Sequence, residues 1–358
     1  MRIEIETTAL DLKWPAESLF GQCVIPLIIK SMKGHTFILH GESSLPKQLT
    51  GNVEYIYNPG DGEPDFCFSL CPLYRYGRNP GVTSVLDIDF KKFFQKKRWW
   101  QRLPPDSREY YSETLKGTAS IVVSHSALKE EILKFYDIES DKIKVVGYGP
   151  PEAPVYPADE VTRRITKEVY GKENSFFFAP AIGHTSDNLE RLFAAYDRFR
   201  QRVPEPVRLL VAQPETGKHL KAVRRAHRQA KYRKDIEFLP RLSDHEYRKI
   251  FSSARAILYP SLSTRFPLPV LDAWTAEVPV VYTDNDILRG AGALVQGEDI
   301  NSIAEGMVSL VTTPFLASGL VENGKRRLQD FSWEAVAEKV AEVLRSVTDQ
   351  SSSRSSEQ

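Results

Sequence analysis

The chain has 358 residues, enough for two domains of ordinary size. Its 48 basic and 47 acidic residues leave a net charge of +1, which excludes a globally polyanion-binding surface and makes any anion site local. No apolar run approaches the roughly 20 residues of a membrane span, and the opening MRIEIETTAL alternates like a strand and carries charge, unlike a signal peptide.

In chain order, RIEIE, TFILH, VEYIY, DFCFSL, TSVLD and SIVVS read as strands of a first unit, with Val24 to Met32 part of its first helix. SHSALKEEILKFY follows as a helix with Leu128, Ile132 and Phe135 on one side, and IKVVGYG closes this half. Periodicity stops in the proline-rich GPPEAPVYPADE, Gly149 to Glu160, which marks the boundary. SFFFAP, VRLLVAQ, IEFLP, AILYP and VPVVYT then read as strands of a second unit. Among its helices, Leu189, Leu192, Phe193 and Tyr196 make one apolar stripe, and Ser243 with Glu246 makes a capping box. A closing helix begins near Ser332, and the low-complexity tail SSSRSSEQ is expected to be disordered. Such alternation argues for parallel sheets with helices on both faces. Two of them predict a bilobed protein with a cleft, divided as 1–155, 156–331, a closing helix 332–348 that packs back toward the first domain, and a tail 349–358.

Three cysteines, Cys23, Cys67 and Cys71, fit a reducing cytosol. CFSLC lacks a second ligand pair, so buried thiols are expected in place of zinc. The stretch AILYPSLSTRFPLPVLDAWTAEVPVVYT, Ala256 to Thr283, is the most informative. It reads as strand, proline-broken loop, short helix and strand, with Val270, Leu271 and Trp274 on one helical face. Ligands of such sheets bind outside the carboxyl ends of strands, near helix N-termini. The predicted site is therefore the loop Pro260 to Pro269.

This segment resembles the donor-site signature P-S-x-x-E-G-F-G-L-P-x-L-E-A of GT-B glycosyltransferases of the GT4-like retaining group. Pro260, Ser261, Phe266, Leu268, Pro269, Leu271 and Ala273 match it. Thr264 and Asp272 stand at its two glutamates, Arg265 and Pro267 at its glycines. VLDIDFKKF resembles the family's T-x-H-D-L segment, IVVSHSALKEEILKFYDIESDKIKVVGYG its next helical unit, and FSWEAVAEKV its closing helix. The resemblance covers almost the whole chain and implies two Rossmann-like domains with a C-terminal crossover helix.

It also implies a nucleoside diphosphate sugar as donor, a glycan or lipid-linked acceptor, and no metal or other cofactor. Asp272 would accept hydrogen bonds from the ribose hydroxyls, Thr264 would face the sugar, and Arg265 would bind diphosphate through its bidentate fork. Phe266, Leu268, Ser261, Gly183, His184 and Asn188 would complete the donor site, and Asp87 would hold an acceptor hydroxyl. Bland readings stand beside these. Asp272 could be a carboxylate in a helix's first turns, Thr264 an ordinary loop residue, Arg265 a side chain pointing to solvent, His184 a surface histidine, and Asp87 strand-end turn chemistry. In the phosphate loop APAIGHTSDN, the family's glycine, Arg or Thr, and Lys are replaced by Ala181, Ile182 and Asp187, and Leu86 stands where its histidine precedes Asp87.

KKFFQKKRWWQR, Lys91 to Arg102, interleaves cations with aromatics and suits a membrane surface or an anionic lipid-linked acceptor, or else packs on the first domain. The same stretch could bind single-stranded nucleic acid by stacking, though nothing else in the sequence supports that. KAVRRAHRQAKYRK, Lys221 to Lys234, reads as a solvated helix face. The expectation is a cytoplasmic glycosyltransferase, peripheral at the inner membrane face, acting in polysaccharide or glycoconjugate synthesis. The alternatives are a glycosyltransferase-like binding or partner subunit that has lost catalysis, or another GT-B chemistry such as sugar-nucleotide epimerisation.

Overall fold

The computed structural model describes residues 1–6, 15–40, 49, 53–56, 64–72, 81–86, 88, 107–181, 185–212, 219–263, 265–283, 288 and 290–355. The chain divides into two compact units. Unit 1 comprises Met1–Gly149, Thr264–Phe266 and Phe331–Gln358, and unit 2 comprises Pro150–Ser263 and Pro267–Asp330. The passage at Gly149 falls inside the proline-rich stretch, a few residues before the boundary expected from sequence.

Unit 1 contains β1 (Arg2–Glu6), α1 (Pro15–Ser31), β2 (Thr36–His40), β3 (Val53–Ile56), β4 (Phe66–Ser69), β5 (Val82–Val85), α2 (Ser107–Gly117), β6 (Ser120–Val123), α3 (Ser126–Phe135) and β7 (Ile143–Val145). Its strands form one parallel sheet in the order β3-β2-β1-β4-β5-β6-β7. Ile3 lies opposite Phe37 on one side and Phe66 on the other. The strands β4, β5 and β6 are buried on both faces, as parallel sheets covered by helices require, while the edge strand β7 is partly exposed. On α3, Leu128 and Ile132 are buried as expected, but Phe135 is 49% exposed. The helix ends there, and Tyr136 turns in to pack against Tyr111, with ring centroids 5.6 Å apart.

Unit 2 contains α4 (Glu160–Val169), β8 (Ser175–Ala179), α5 (Leu189–Arg202), β9 (Val207–Ala212), α6 (His219–Gln229), β10 (Ile236–Leu239), α7 (Asp244–Ser253), β11 (Ala256–Tyr259), α8 (Leu268–Thr275), β12 (Val280–Thr283), β13 (Ala293–Val295), α9 (Ile300–Thr312) and α10 (Pro314–Arg327). Its parallel sheet runs β10-β9-β8-β11-β12-β13. Strand β8 shows how SFFFA builds two layers. Successive side chains point to opposite faces. Phe177 meets Phe199 of α5 edge-on at 5.1 Å, whereas Phe178 meets Tyr247 and Phe251 of α7 at 5.5 and 6.0 Å. The α5 stripe of Leu189, Leu192, Phe193 and Tyr196 is buried, and the Ser243–Glu246 capping box opens α7.

The closing helix α11 (Trp333–Ser355) belongs to unit 1, where it packs on α1 and buries Val336, Ala337, Val340, Ala341 and Leu344. It runs beyond residue 348, where the sequence reading ended it. Asp349 to Ser355 contains neither glycine nor proline to stop it, and only 356–358 of the expected tail lie outside the described residues. Trp333 packs against Tyr148 at 4.8 Å and Phe20 at 6.2 Å. A β-carbon at Gly149 would stand 2.2 Å from the Trp333 ring, so only glycine fits this approach.

Candidate functional site

Both sheets reverse their strand order next to their first strand, β1/β4 in unit 1 and β8/β11 in unit 2. Crevices open outside the carboxyl ends of strands at such reversals. In unit 2 the β8 and β11 ends lead into residues 180–188 and 260–267, the segments singled out from sequence.

Hydrogen bonds stitch these segments together. The Leu262 N–H and the Ser261 hydroxyl both donate to Ser186 O, at 2.8 and 3.1 Å. Ser261 Oγ also accepts the Ser263 N–H at 3.2 Å. Asn188 precedes α5 in the left-handed region, φ 61° and ψ 28°, which asparagine tolerates better than most residues. Its buried amide donates to Pro260 O at 3.0 Å and Gly297 O at 2.6 Å, and its Oδ1 accepts from Arg191 at 3.0 Å. One side chain thus ties the loops after β8, β11 and β13. Ser261 and Asn188, both expected at the donor, shape this edge through bonds to the protein itself.

Helix α8 starts on Pro267, with Pro269 in its first turn. Neither proline has an N–H, and the Val270 N–H donates to Pro267 O at 2.9 Å, which thins the anion nest at this N-terminus. Leu268 is half-buried, and Val270, Leu271, Ala273 and Trp274 are buried. Trp274 Nε1 donates to Ala291 O at 2.6 Å. Asp272 is half-buried on the same helix and accepts the Val155 N–H at 3.1 Å. Burial pushes its carboxyl up from 3.8 to about 6, against the pull of that N–H and of the Arg248 guanidinium. Arg248 in turn donates to Pro154 O at 3.1 Å. Asp272 is thus a carboxylate held in a partly desolvated place, where it also fastens the start of unit 2.

Arg265 and Phe266 belong to unit 1. Phe266 is buried and stacks on Tyr148 at 5.0 Å, with Phe331 at 5.7 Å and His125 at 6.4 Å, so its ring serves packing. Tyr148 donates its hydroxyl to Ala16 O at 2.9 Å. Arg265 is half-buried. Thr264, Asp87, Gly183, His184 and the stretch 91–102 lie outside the described residues.

Three features escaped the sequence reading. His125 is buried at the carboxyl end of β6, and its Nδ1 accepts the Leu128 N–H at 2.9 Å, which caps α3 and leaves the proton on Nε2. A histidine between a strand end and a helix start was the available signal. Thr283 Oγ1, at the end of β12, is buried without a hydrogen-bond partner, and a β-carbon at Gly297 would approach it to 2.7 Å. Glu4 and Glu6 are buried on the central strand β1, with the Ser69 hydroxyl donating toward Glu6 at 3.4 Å. Their signal was two acids at alternate positions of a strand covered on both faces. Cys67 and Cys71 are buried thiols, and Cys23 is half-buried. Among the described residues no helix is long and apolar enough to cross a membrane, and no three His, Cys, Asp or Glu side chains group to hold a metal ion.

The family model described as "Glycosyl transferases group 1" matches residues 173–313, which lie in unit 2 except for Thr264–Phe266. A D-inositol 3-phosphate glycosyltransferase of Corynebacterium urealyticum is 24% identical over 260 residues, 68% of this chain and 60% of that protein. The aligned stretch thus spans about three fifths of that relative's length. Among solved structures, sucrose-phosphate synthase from Thermosynechococcus elongatus superposes with a TM-score of 0.68 at 14% identity, covering 98% of this chain and all of that one. Anabaena HepE in complex with UDP-glucose gives 0.68 at 13% identity, covering 97% of this chain and all of that one. Residues 173–313 thus match the glycosyl transferases group 1 family, and the chain, with its two parallel Rossmann-like sheets, has the fold of the GT-B glycosyltransferases.

Proposed function

We propose that this protein transfers a sugar from a nucleoside diphosphate donor to a glycan or lipid-linked acceptor, with retention of configuration and without a metal ion. The reading rests on the stitched edge of unit 2, where the loops after β8, β11 and β13 are fixed around Asn188 beside the orphaned hydroxyl of Thr283. Rigid loops at a strand-order reversal suit a donor that must be held still while charge develops on its leaving diphosphate. Thr283 Oγ1 gains its missing partner when a polar ligand enters. Asp272 accepts hydrogen bonds from the ribose, and Arg265 supplies the cation that Ile182 and Asp187 do not. Thr264 faces the sugar, Leu268, Gly183 and His184 complete the donor side, and Asp87 holds the acceptor hydroxyl. The leaving diphosphate itself takes the acceptor proton, so no protein nucleophile is required. HepE, a structural neighbour, is solved with UDP-glucose, which makes a uridine donor the first to test. The reaction is cytoplasmic, and Lys91 to Arg102 brings the enzyme to the membrane face where a lipid-linked acceptor resides.

The test is a thermal-shift screen against UDP, GDP, dTDP and their sugars, followed by assays of nucleoside diphosphate release with candidate acceptors. One nucleotide should raise the melting temperature, and Asp272→Ala should remove that rise. Absence of both binding and release with every nucleotide sugar overturns the proposal.

A second reading, a partner subunit without turnover, draws on the prolines at 267 and 269 and on the Asp272 bond to Val155. Turnover abolished by Asp272→Ala excludes it. A sugar nucleotide altered without any acceptor marks epimerisation instead.

A further inference from the structure

Helix α4 is packed the wrong way round for its sequence. Val161, Ile165 and Val169 recur at i, i+4 and i+8 and share one face, as do Thr162, Thr166 and Tyr170. The polar stripe is the inward one. Thr166 is buried, Thr162 and Tyr170 are half-buried, and the Tyr170 hydroxyl donates to Glu246 of α7 at 3.4 Å. The β-branched stripe is 56%, 50% and 63% exposed at Val161, Ile165 and Val169. Single exposed apolar residues are ordinary, but a continuous stripe of them marks a contact.

We infer that this stripe is where a second copy of the chain docks, with the two α4 helices antiparallel across a twofold axis at Ile165. The charges beside the stripe argue for this occupant. Arg164 and Glu168 lie on the flank away from α7, and they already pair within the helix at 3.9 Å. The twofold axis sets Ile165 against its own copy and Val161 against the partner's Val169. It also brings Arg164 to within about 3 Å, along the helix axis, of the partner's Glu168, and repeats that pairing by symmetry. The surface is complementary to itself in shape and in charge. A lipid surface selects a basic polar face, whereas the polar positions of α4 interleave Glu160 and Glu168 with Arg163, Arg164 and Lys167.

The test is sedimentation velocity and light scattering on the full chain from about 1 to about 200 µM, the range in which a small interface dissociates. The wild type should pass from monomer to dimer. Ile165→Glu should weaken association at least roughly tenfold while keeping the melting curve, because Ile165 is 50% exposed in the single chain. Arg164→Glu and Glu168→Arg should each self-associate less than the wild type. An equimolar mixture of those two should associate again, because the mixed pair restores both opposite-charge contacts. A wild type that stays monomeric, a dimer indifferent to Ile165→Glu, or a mixture no better than its components overturns the assignment. So does a monomer that floats with anionic vesicles and loses this with Ile165→Glu, which makes lipid the occupant.

Discussion

Asp272→Asn should stabilise the protein at neutral pH and leave it unchanged in acid. The carboxyl titrates at about 6 in the folded chain against an ordinary 3.8, and burial is the main cause. A carboxyl whose folded pKa lies above its unfolded one costs stability wherever both states are ionised. Above pH 6 that full cost is present, and it is relieved as the pH falls through 6 toward 3.8, because the folded state takes up its proton first. The displacement corresponds to about 3 kcal/mol as an upper figure. Asparagine keeps an oxygen to accept the Val155 N–H and removes the charge, but its own N–H groups then need partners. The net gain at pH 8 is therefore about 1–3 kcal/mol, or about 2–4 °C per kcal/mol in a domain of this size. Calorimetry of both proteins from pH 4 to pH 8 reads it directly. The two melting curves should converge in acid and separate above pH 6. An asparagine variant equal to or less stable than the wild type at pH 8 refutes the electrostatic reasoning. The proposed ribose contact adds a second requirement, because the more stable variant should bind its nucleotide more weakly. Stability gained with nucleotide affinity intact makes Asp272 a fastening for Val155 alone.

Other substitutions test the scaffold and the proposed chemistry separately. Asn188→Ala strands two buried carbonyls and places alanine at positive φ, so it should cost about 2–4 kcal/mol in urea unfolding. Two glycines of α10 should respond with opposite signs. Gly319→Ala meets nothing within 4 Å and should stabilise by about 0.5–1 kcal/mol, whereas Gly324→Ala would put a β-carbon 2.4 Å from the Trp274 ring and should destabilise by about 1–3 kcal/mol. Arg265→Ala should lower donor turnover by about 10²–10³, with Arg224→Ala on α6 as the near-neutral comparison. Equal, small effects at the two arginines remove Arg265 from the diphosphate. Trp99→Ala with Trp100→Ala should reduce flotation with anionic liposomes, and unchanged flotation removes the membrane role of residues 91–102.

The fold was legible because its signals are local. SFFFA is a continuous apolar run, the α5 stripe repeats at helical spacing, and Ser243 sits three residues before its capping glutamate. The candidate site was legible as a place, the carboxyl ends of β8 and β11, but not as a set of contacts. Asn188 shows why. Its amide donates to Gly297, 109 residues away, and no local pattern encodes that partner. Phe266 reads as part of a donor loop, yet its surroundings are Tyr148, Phe331 and His125, which only the folded chain assembles. Helix α4 marks the limit of periodicity itself. The spacing of Val161, Ile165 and Val169 reveals a face, and nothing in the spacing says whether this chain or another covers it.

Within the signature loop, the matching positions and the altered ones separate by the work they do. Pro260 gives its carbonyl to Asn188, Ser261 bonds Ser186, Phe266 fills an aromatic cluster, and Leu271 and Ala273 are buried under α8. Each of these is accounted for by packing or by hydrogen bonds inside the protein. The departures, Thr264, Arg265, Pro267 and Asp272, fall where the resemblance assigns contacts to phosphate, ribose and sugar. A match at Pro260 or Leu271 therefore speaks for the fold and is silent on turnover. Turnover depends on whether an arginine in place of a glycine, and an aspartate one methylene shorter than glutamate, still meet a donor. Substitutions at Arg265 and Asp272, read against nucleotide binding and product release, bear on that question. Substitutions at Pro260, Ser261, Phe266, Leu271 and Ala273 report only whether the scaffold holds.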